Sequence, residues 1–93
     1  MQKPTRQQMI DAIRPAVVKR LKQHRQDLGL SQEQMAKQYG IALRSYADLE
    51  HGKNFPSATT FAQLLTALSK EDLKDLLAEM RTALDSLYEA GGK

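Results

Sequence analysis

The sequence predicts an all-α protein of five to six helices that form a compact bundle around a central helix-turn-helix. Apolar residues recur at helical spacing along the chain, and no segment alternates apolar and polar residues as a half-buried strand would. The central unit is the stretch of twenty residues from Gln32 to His51, in which Ala36 and Gly40 have the spacing of two short helices joined by a sharp turn. A small residue at Ala36 lets the two helices cross closely. A glycine at Gly40 ends the first helix in the left-handed conformation.

Length and composition limit the chain to one small domain with a modest core, because it has 93 residues of which 41% are hydrophobic. It contains no cysteine, and its two histidines, His24 and His51, lack the spacing of metal ligands. We therefore predict no metal and no cofactor. The amino-terminal sequence lacks the hydrophobic core of a signal peptide, and no apolar run has the length of a membrane span, so a cytoplasmic protein is expected.

The amino-terminal segment divides at a proline. Thr5 and Gln8 form a capping box that starts a short helix ending near Arg14, so residues 1–14 are predicted to be a helical extension. Pro15 either kinks this helix or starts a new one, and we favour the new start because proline suits a first helical position. The second helix ends at Gly29. Its inward-facing residues are predicted to be Val17, Val18, Leu21 and Leu28.

The two helices of the central unit are predicted to span residues 32–39 and 43–50. Ser31 and Gln34 form a capping box for the first helix. Ala42 provides no capping hydroxyl for the second, which costs about 1 kcal/mol of local stability. The residues expected to meet in the core are Met35, Tyr39, Ile41, Tyr46 and Leu49.

Two further helices follow a loop that ends near Pro56. Ser57 caps a helix whose inward-facing residues are Phe61, Leu64, Leu65 and Leu68. Ser69 and Asp72 start a last helix to about Tyr88, in a segment 70–93 that is separate from the helix-turn-helix domain predicted for residues 15–69. The last helix carries a heptad seam of Leu73, Leu77, Met80, Leu84 and Leu87, which predicts a homodimer. The alternative is that the seam folds back on Met9, Ile10 and Ile13.

Charge is distributed unevenly along the chain. Residues 1–30 carry seven Lys/Arg and two Asp/Glu, residues 31–68 carry three of each, and residues 69–93 carry four Lys/Arg and six Asp/Glu. A basic amino-terminal part suits a surface that faces phosphates, and an acidic carboxy-terminal part suits a surface turned away from them. A basic helix that is simply solvated fits the charge count equally well.

Residues 21–69 resemble the Cro and phage-repressor type of helix-turn-helix domain, also called the XRE family. The resemblance covers about half of the chain. It implies a lambda-repressor-like bundle in which residues 43–50 form the recognition helix that enters the major groove of double-stranded DNA. The residues that carry it are Arg25, Leu30-Ser31-Gln32, Ala36, Gly40, Leu49-Glu50-His51-Gly52 and Pro56. Two residues depart from the family pattern: Ala42 replaces a capping hydroxyl, and Asp48 replaces a basic or amide side chain.

The resemblance also implies roles for individual residues. It makes Leu43, Arg44, Ala47 and Asp48 candidates for contact with base edges. It makes Gln32, Lys37, Ser45, Lys53 and Asn54 candidates for contact with phosphates or the DNA backbone. Arg44 ranks first among the base contacts because it can donate two hydrogen bonds to guanine, although a phosphate contact is about as frequent for such a residue. The resemblance pairs Arg25 with Glu50 as a partly buried structural salt bridge.

The function that these observations favour is a sequence-specific DNA-binding transcriptional regulator, a repressor that occupies an operator. An enzyme is disfavoured because no nucleophilic cysteine, phosphate-cradling glycine loop or cluster of titratable groups is present. The alternative is a protein-interaction module, such as an antitoxin of a toxin-antitoxin pair, whose helix-turn-helix displays a surface for a partner protein. The weak cap at Ala42 and the acidic Asp48 favour this alternative.

Overall fold

A computed structural model describes residues 3–91 of the chain, and this part forms five α-helices without a β-strand. The helices are α1 (Arg6–Leu28), α2 (Gln32–Tyr39), α3 (Leu43–Glu50), α4 (Ala58–Ala67) and α5 (Lys70–Gly91). The predicted fold class, an all-α bundle around a helix-turn-helix, is confirmed. No helix within residues 3–91 is long and apolar enough to cross a membrane.

The predicted break at Pro15 is wrong, because α1 continues through this proline as one helix of 23 residues. Thr5 caps its amino terminus with the expected capping box, and Gly29 ends it. Pro15 cannot donate to the carbonyl group of Asp11, but both residues are exposed, so water can satisfy that carbonyl. Packing against α5 stabilises the helical conformation on both sides of the proline, and this tertiary support outweighs the local preference for a break.

The helix-turn-helix forms as the sequence predicts. Ser31 caps α2 with a reciprocal capping box, and Gly40 ends that helix with a φ of 71°. Ala42 starts α3 without a side-chain hydrogen bond, as expected from its missing hydroxyl. The rings of Tyr39 and Tyr46 stack with centroids 5.9 Å apart, so one aromatic pair joins the two helices at their crossing.

The core contains residues from all five helices. Its buried hydrophobic members are Val17, Leu21, Met35, Ala36, Tyr39, Tyr46, Leu49, Leu64 and Leu76. Four of the residues predicted to face inward, Ile41, Phe61, Leu65 and Leu68, are partly buried and pack against this cluster. Leu28 was expected inside but is 48% exposed, because it is the last residue of α1 and no other element covers it.

The acidic helix α5 packs along the basic helix α1, and the contact is both apolar and ionic. Leu76 is fully buried and Met80 packs against the core. Beside this apolar contact the guanidinium of Arg20 lies 3.3 Å from Asp72 and 3.6 Å from Glu79. The arrangement resembles the alternative in which the last helix folds back on its own domain.

Packing of α5 on α1 partly buries most residues of the predicted dimer seam and leaves one of them exposed. Leu73, Met80, Leu84 and Leu87 are partly buried, whereas Leu77 is 49% exposed. Leu77 and Leu84 line an open groove of about 500 Å³ together with Ile13 of α1 and Tyr88. This groove between the amino-terminal part of α1 and the end of α5, which Met80, Arg81 and Asp85 also line, therefore remains uncovered within the described chain.

Candidate nucleic-acid interface

Helix α3, the predicted recognition helix, has one buried face and one solvent-facing face. Tyr46, Leu49 and Glu50 are buried against α1 and α2. On the opposite side Arg44 and Ser45 are exposed, Leu43 is 46% exposed, and Ala47 and Asp48 are half-buried. The four candidates for base contact, Leu43, Arg44, Ala47 and Asp48, therefore share one accessible face. A helix presented in this way can be inserted into the major groove of DNA without breaking its packing.

Behind that face, Glu50 is the centre of a buried hydrogen-bond network. Its side chain is buried, with 2% of the residue exposed. Arg25 donates to both carboxylate oxygens, from Nε at 2.7 Å and from Nη2 at 3.1 Å, and the Tyr46 hydroxyl and the Gln32 amide donate as well. A third donor of Arg25, Nη1, binds the carbonyl oxygen of Leu30 at 3.0 Å. The network joins α1, the start of α2 and the end of α3 into one rigid unit.

The charges of this network are stabilised in the folded protein. Burial alone raises the pKa of Glu50, but the hydrogen bonds from Arg25, Tyr46 and Gln32 outweigh burial and hold its pKa below the usual value. The hydrogen bond with Glu50 raises the pKa of Arg25. Burial and then the neighbouring carboxylate raise the pKa of Tyr46. Glu50 is therefore a carboxylate that accepts hydrogen bonds inside the domain, and it is not exposed to an incoming ligand.

The predicted phosphate contacts differ in how much of each side chain is exposed. Lys37, Ser45, Lys53 and Asn54 are all exposed. Ser45 and Asn54 lie together in a groove of about 200 Å³ between α3 and the start of α4, where Ser57 also lines the groove. Gln32 is half-buried and commits one amide hydrogen to Glu50, so part of its hydrogen-bonding capacity remains for a phosphate.

Asp48 lies beside Lys53 and not beside Arg44. The Lys53 Nζ atom is 4.0 Å from Oδ1 of Asp48, and the side chain of Asp48 is 24% exposed. No carboxylate lies within ion-pair distance of Arg44 in residues 3–91. Arg44 is thus available for an external acceptor, whereas part of the charge of Lys53 is offset by its neighbour.

Two members of the buried network were missed as such in the sequence. The sequence predicts Tyr46 only as a core residue and Gln32 only as a phosphate contact, yet both donate to Glu50. The signal for Tyr46 was present, because residues 46 and 50 are four apart and lie on one face of a helix. Gln32 and Glu50 are eighteen residues apart, so only the crossing of α2 and α3 reveals their contact.

The described residues contain no cluster of three or more His, Asp or Glu side chains that could hold a metal ion. Tyr39 has a buried hydroxyl without a hydrogen-bond partner in residues 3–91. Burial raises its pKa to about 12. This phenol is therefore neutral near pH 7 and belongs to the core.

Comparisons with known proteins agree with this geometry. A family model described as a helix-turn-helix domain matches residues 18–79. A protein of Methanothermobacter thermautotrophicus named "Uncharacterized HTH-type transcriptional regulator" is 32% identical over 56 residues, which are 60% of this chain and 81% of that protein. No solved structure matches the chain. The matched region begins inside α1 and ends inside α5, and it includes all of α2, α3 and α4.

Proposed function

Because the chain belongs to the helix-turn-helix domain family, of the Cro and phage-repressor (XRE) type, we propose that it is a sequence-specific DNA-binding regulator of transcription. It acts as a repressor by occupying an operator. The observation that carries this proposal is the exposed face of α3, which presents Arg44 without a carboxylate neighbour among residues 3–91. The Glu50 network holds that face in place from behind.

In the proposed complex the position of each side chain determines whether it contacts a base or the sugar-phosphate backbone. Arg44 reads a guanine through the two acceptors of its major-groove edge, and Leu43 and Ala47 contact thymine methyl groups. Lys53, Asn54, Ser45, Lys37 and Gln32 bind the sugar-phosphate backbone around this face and set the orientation of the helix. Asp48 accepts from a cytosine amino group or keeps Lys53 in place. This function requires no catalysis and no cofactor.

The proposed functional unit is a homodimer. One recognition helix spans only a few base pairs, whereas a two-fold dimer places two of them about 34 Å apart on one side of the duplex. The uncovered groove lined by Ile13, Leu77, Leu84 and Tyr88 supplies an apolar surface for a second copy. A cytoplasmic location is part of this proposal, because the protein must reach operator DNA.

A second function, binding of a partner protein as in an antitoxin, is favoured by two features of α3 and the loop after it. Leu43 is an exposed apolar side chain at the tip of α3, and Asp48 offsets the charge of Lys53 nearby. Such a surface suits a protein partner better than a phosphate-rich one.

A salt titration against random-sequence duplex DNA distinguishes the two functions. For a DNA-binding protein the logarithm of affinity falls linearly with the logarithm of salt concentration, with a slope of about −0.9 for each phosphate contact. We expect this dependence, and we expect selection from a random duplex library to return a half-site in two copies. An absence of binding to duplex DNA at low salt would reject the proposed function in favour of the protein-interaction module.

A further inference from the structure

Helix α1 carries a stripe of residues that lies beside the end of the recognition helix. Arg14, Val18 and Lys22 are four residues apart and line one open groove of about 580 Å³ together with Gly52. Gly52 follows α3 after one residue and adopts a φ of 74°. A side chain at this position would meet Arg14 Cδ at 3.8 Å and Val18 at 4.0 Å, so α1 and the turn after α3 are in direct proximity.

The basic residues of α1 are divided between two surroundings. Arg20 faces α5, where Asp72, Asp75 and Glu79 lie within 4 Å of its guanidinium, and Lys19 lies 3.3 Å from Glu79. Arg14 pairs with Asp11 of its own helix at 2.9 Å. Within residues 3–91 no carboxylate lies within 4 Å of Lys22, which is exposed.

This division leaves Lys22 as a cation without a carboxylate partner within residues 3–91, on the side of α1 that lies beside the turn after α3. The acidic helix α5 neutralises the opposite side of α1. A charge that lacks an internal partner and lies in an open groove is available for an external anion. The nearest part of the proposed interface is the loop after α3, which carries Lys53.

The length of α3 indicates how close Lys22 would come to the phosphate backbone of a bound duplex. The helix has eight residues and is therefore about 12 Å long, which is about the width of the major groove. When its amino-terminal residues reach the base edges, its carboxy-terminal turn lies near the rim of the groove, where the phosphates are. Gly52 and the α1 residues beside it would then also lie near that rim.

We infer that the surface formed by Arg14, Lys22 and the turn at Gly52, which we call the α1 ridge, binds phosphates of the same duplex that α3 reads. The inference rests on the proposed function and extends the interface to a helix outside the helix-turn-helix. Lys22 provides the free charge, and Arg14 adds only its Nη2 group, because its Nη1 group pairs with Asp11 and its Nε atom is buried. The contact is to the backbone and carries no base preference.

The test compares the unchanged 93-residue chain with a Lys22→Gln variant in a salt titration against random-sequence duplex DNA. Removing one phosphate contact should make the slope of log affinity against log salt shallower by about 0.9. It should also weaken binding by the same factor on every sequence. The matched control is Lys74→Gln, which removes an exposed lysine from α5 and should leave the slope unchanged. Thermal melting of both variants should match the unchanged protein, since both side chains are exposed.

Each outcome is decisive. A Lys22→Gln protein with the slope of the unchanged protein, beside a Lys53→Gln protein with a shallower slope, overturns the α1 ridge and leaves the proposed function intact. An equal loss of slope in Lys22→Gln and Lys74→Gln also overturns it, because the effect would then reflect net charge alone. If the unchanged protein does not bind duplex DNA at low salt, both the α1 ridge and the proposed function fail.

Discussion

The side-chain amide of Gln32 lies 3.1 Å from Oε1 of Glu50, so the first residue of α2 is hydrogen-bonded to the last residue of α3. Glu50 is also held by the guanidinium of Arg25 from α1. One buried carboxylate thus fixes the angle between the two helices of the helix-turn-helix and ties both to the bracing helix. Loss of the Glu50 carboxylate should lower the stability of the domain. DNA binding should weaken as a consequence of that lower stability.

Replacing Glu50 with alanine should destabilise the domain by about 3 kcal/mol, because Arg25 would keep a partly buried charge without its partner. The matched control is Glu33→Ala, which removes an exposed carboxylate from α2 and should change stability by no more than about 0.5 kcal/mol. Thermal or urea unfolding measures both. Superimposable unfolding curves for the two variants would contradict the structural role of Glu50.

The stability of the domain should decrease in acid through Glu50. Its pKa is lower in the folded chain than the usual value of about 4.3, so the carboxylate stabilises the fold above that pH. This contribution is lost as the pH falls through the folded-state pKa. A Glu50→Gln variant lacks the titrating group, so the difference in unfolding free energy between the two proteins should shrink on acidification. A difference that stays constant from neutral pH to about pH 3 would refute this origin.

The contacts proposed for Arg44 and Lys53 predict different losses of DNA affinity when each residue is replaced. Arg44→Ala should cost about 1–3 kcal/mol on the selected operator and relax the preference at one base pair of each half-site. Lys53→Ala should weaken binding to all sequences alike and make the salt slope shallower by about one unit. Electrophoretic mobility shifts on operator and random duplexes measure both variants. Equal losses on the two DNAs for Arg44→Ala would show a backbone contact in place of base reading.

The packing of α5 on α1 predicts opposite outcomes for two adjacent leucines. Leu76 is fully buried, so Leu76→Ala should cost about 2–5 kcal/mol, since it leaves a cavity between the helices. Leu77 is half exposed, and Leu77→Ala should cost less than about 1 kcal/mol in a dilute, monomeric sample. Urea unfolding decides between them. Similar losses of stability for both variants would mean that, in solution, α5 does not pack on α1 with Leu76 buried and Leu77 exposed.

If the proposed homodimer forms through α5, a single substitution at the exposed Leu77 should prevent it. The full chain should sediment as a dimer at micromolar concentration, and Leu77→Glu should make it a monomer, because a carboxylate would be buried at the groove formed with Ile13. Thr82→Glu, an exposed change on the same helix, is the control and should leave the dimer intact. A monomeric unchanged protein, or a dimeric Leu77→Glu variant, would show that α5 is not the dimer interface.

The sequence by itself determined the helix-turn-helix and most of the helix boundaries. The capping box at Ser31, the glycine at position 40 and the missing hydroxyl at Ala42 act over at most a few residues, so their effects follow from local chemistry. The spacing of Met35, Tyr46 and Leu49 likewise fixes which faces of α2 and α3 are buried.

Only the tertiary structure decided the course of α1, the partner of α5 and the surroundings of each charge. Pro15 alone favours a break, and the helix continues because α5 supports both of its halves. Gln32 reaches Glu50, and Arg20 reaches Asp72, across eighteen and fifty-two positions of the chain. Such contacts depend on how the helices cross, which is set by the sum of many small packing energies in the core, and no local pattern in the sequence encodes that sum.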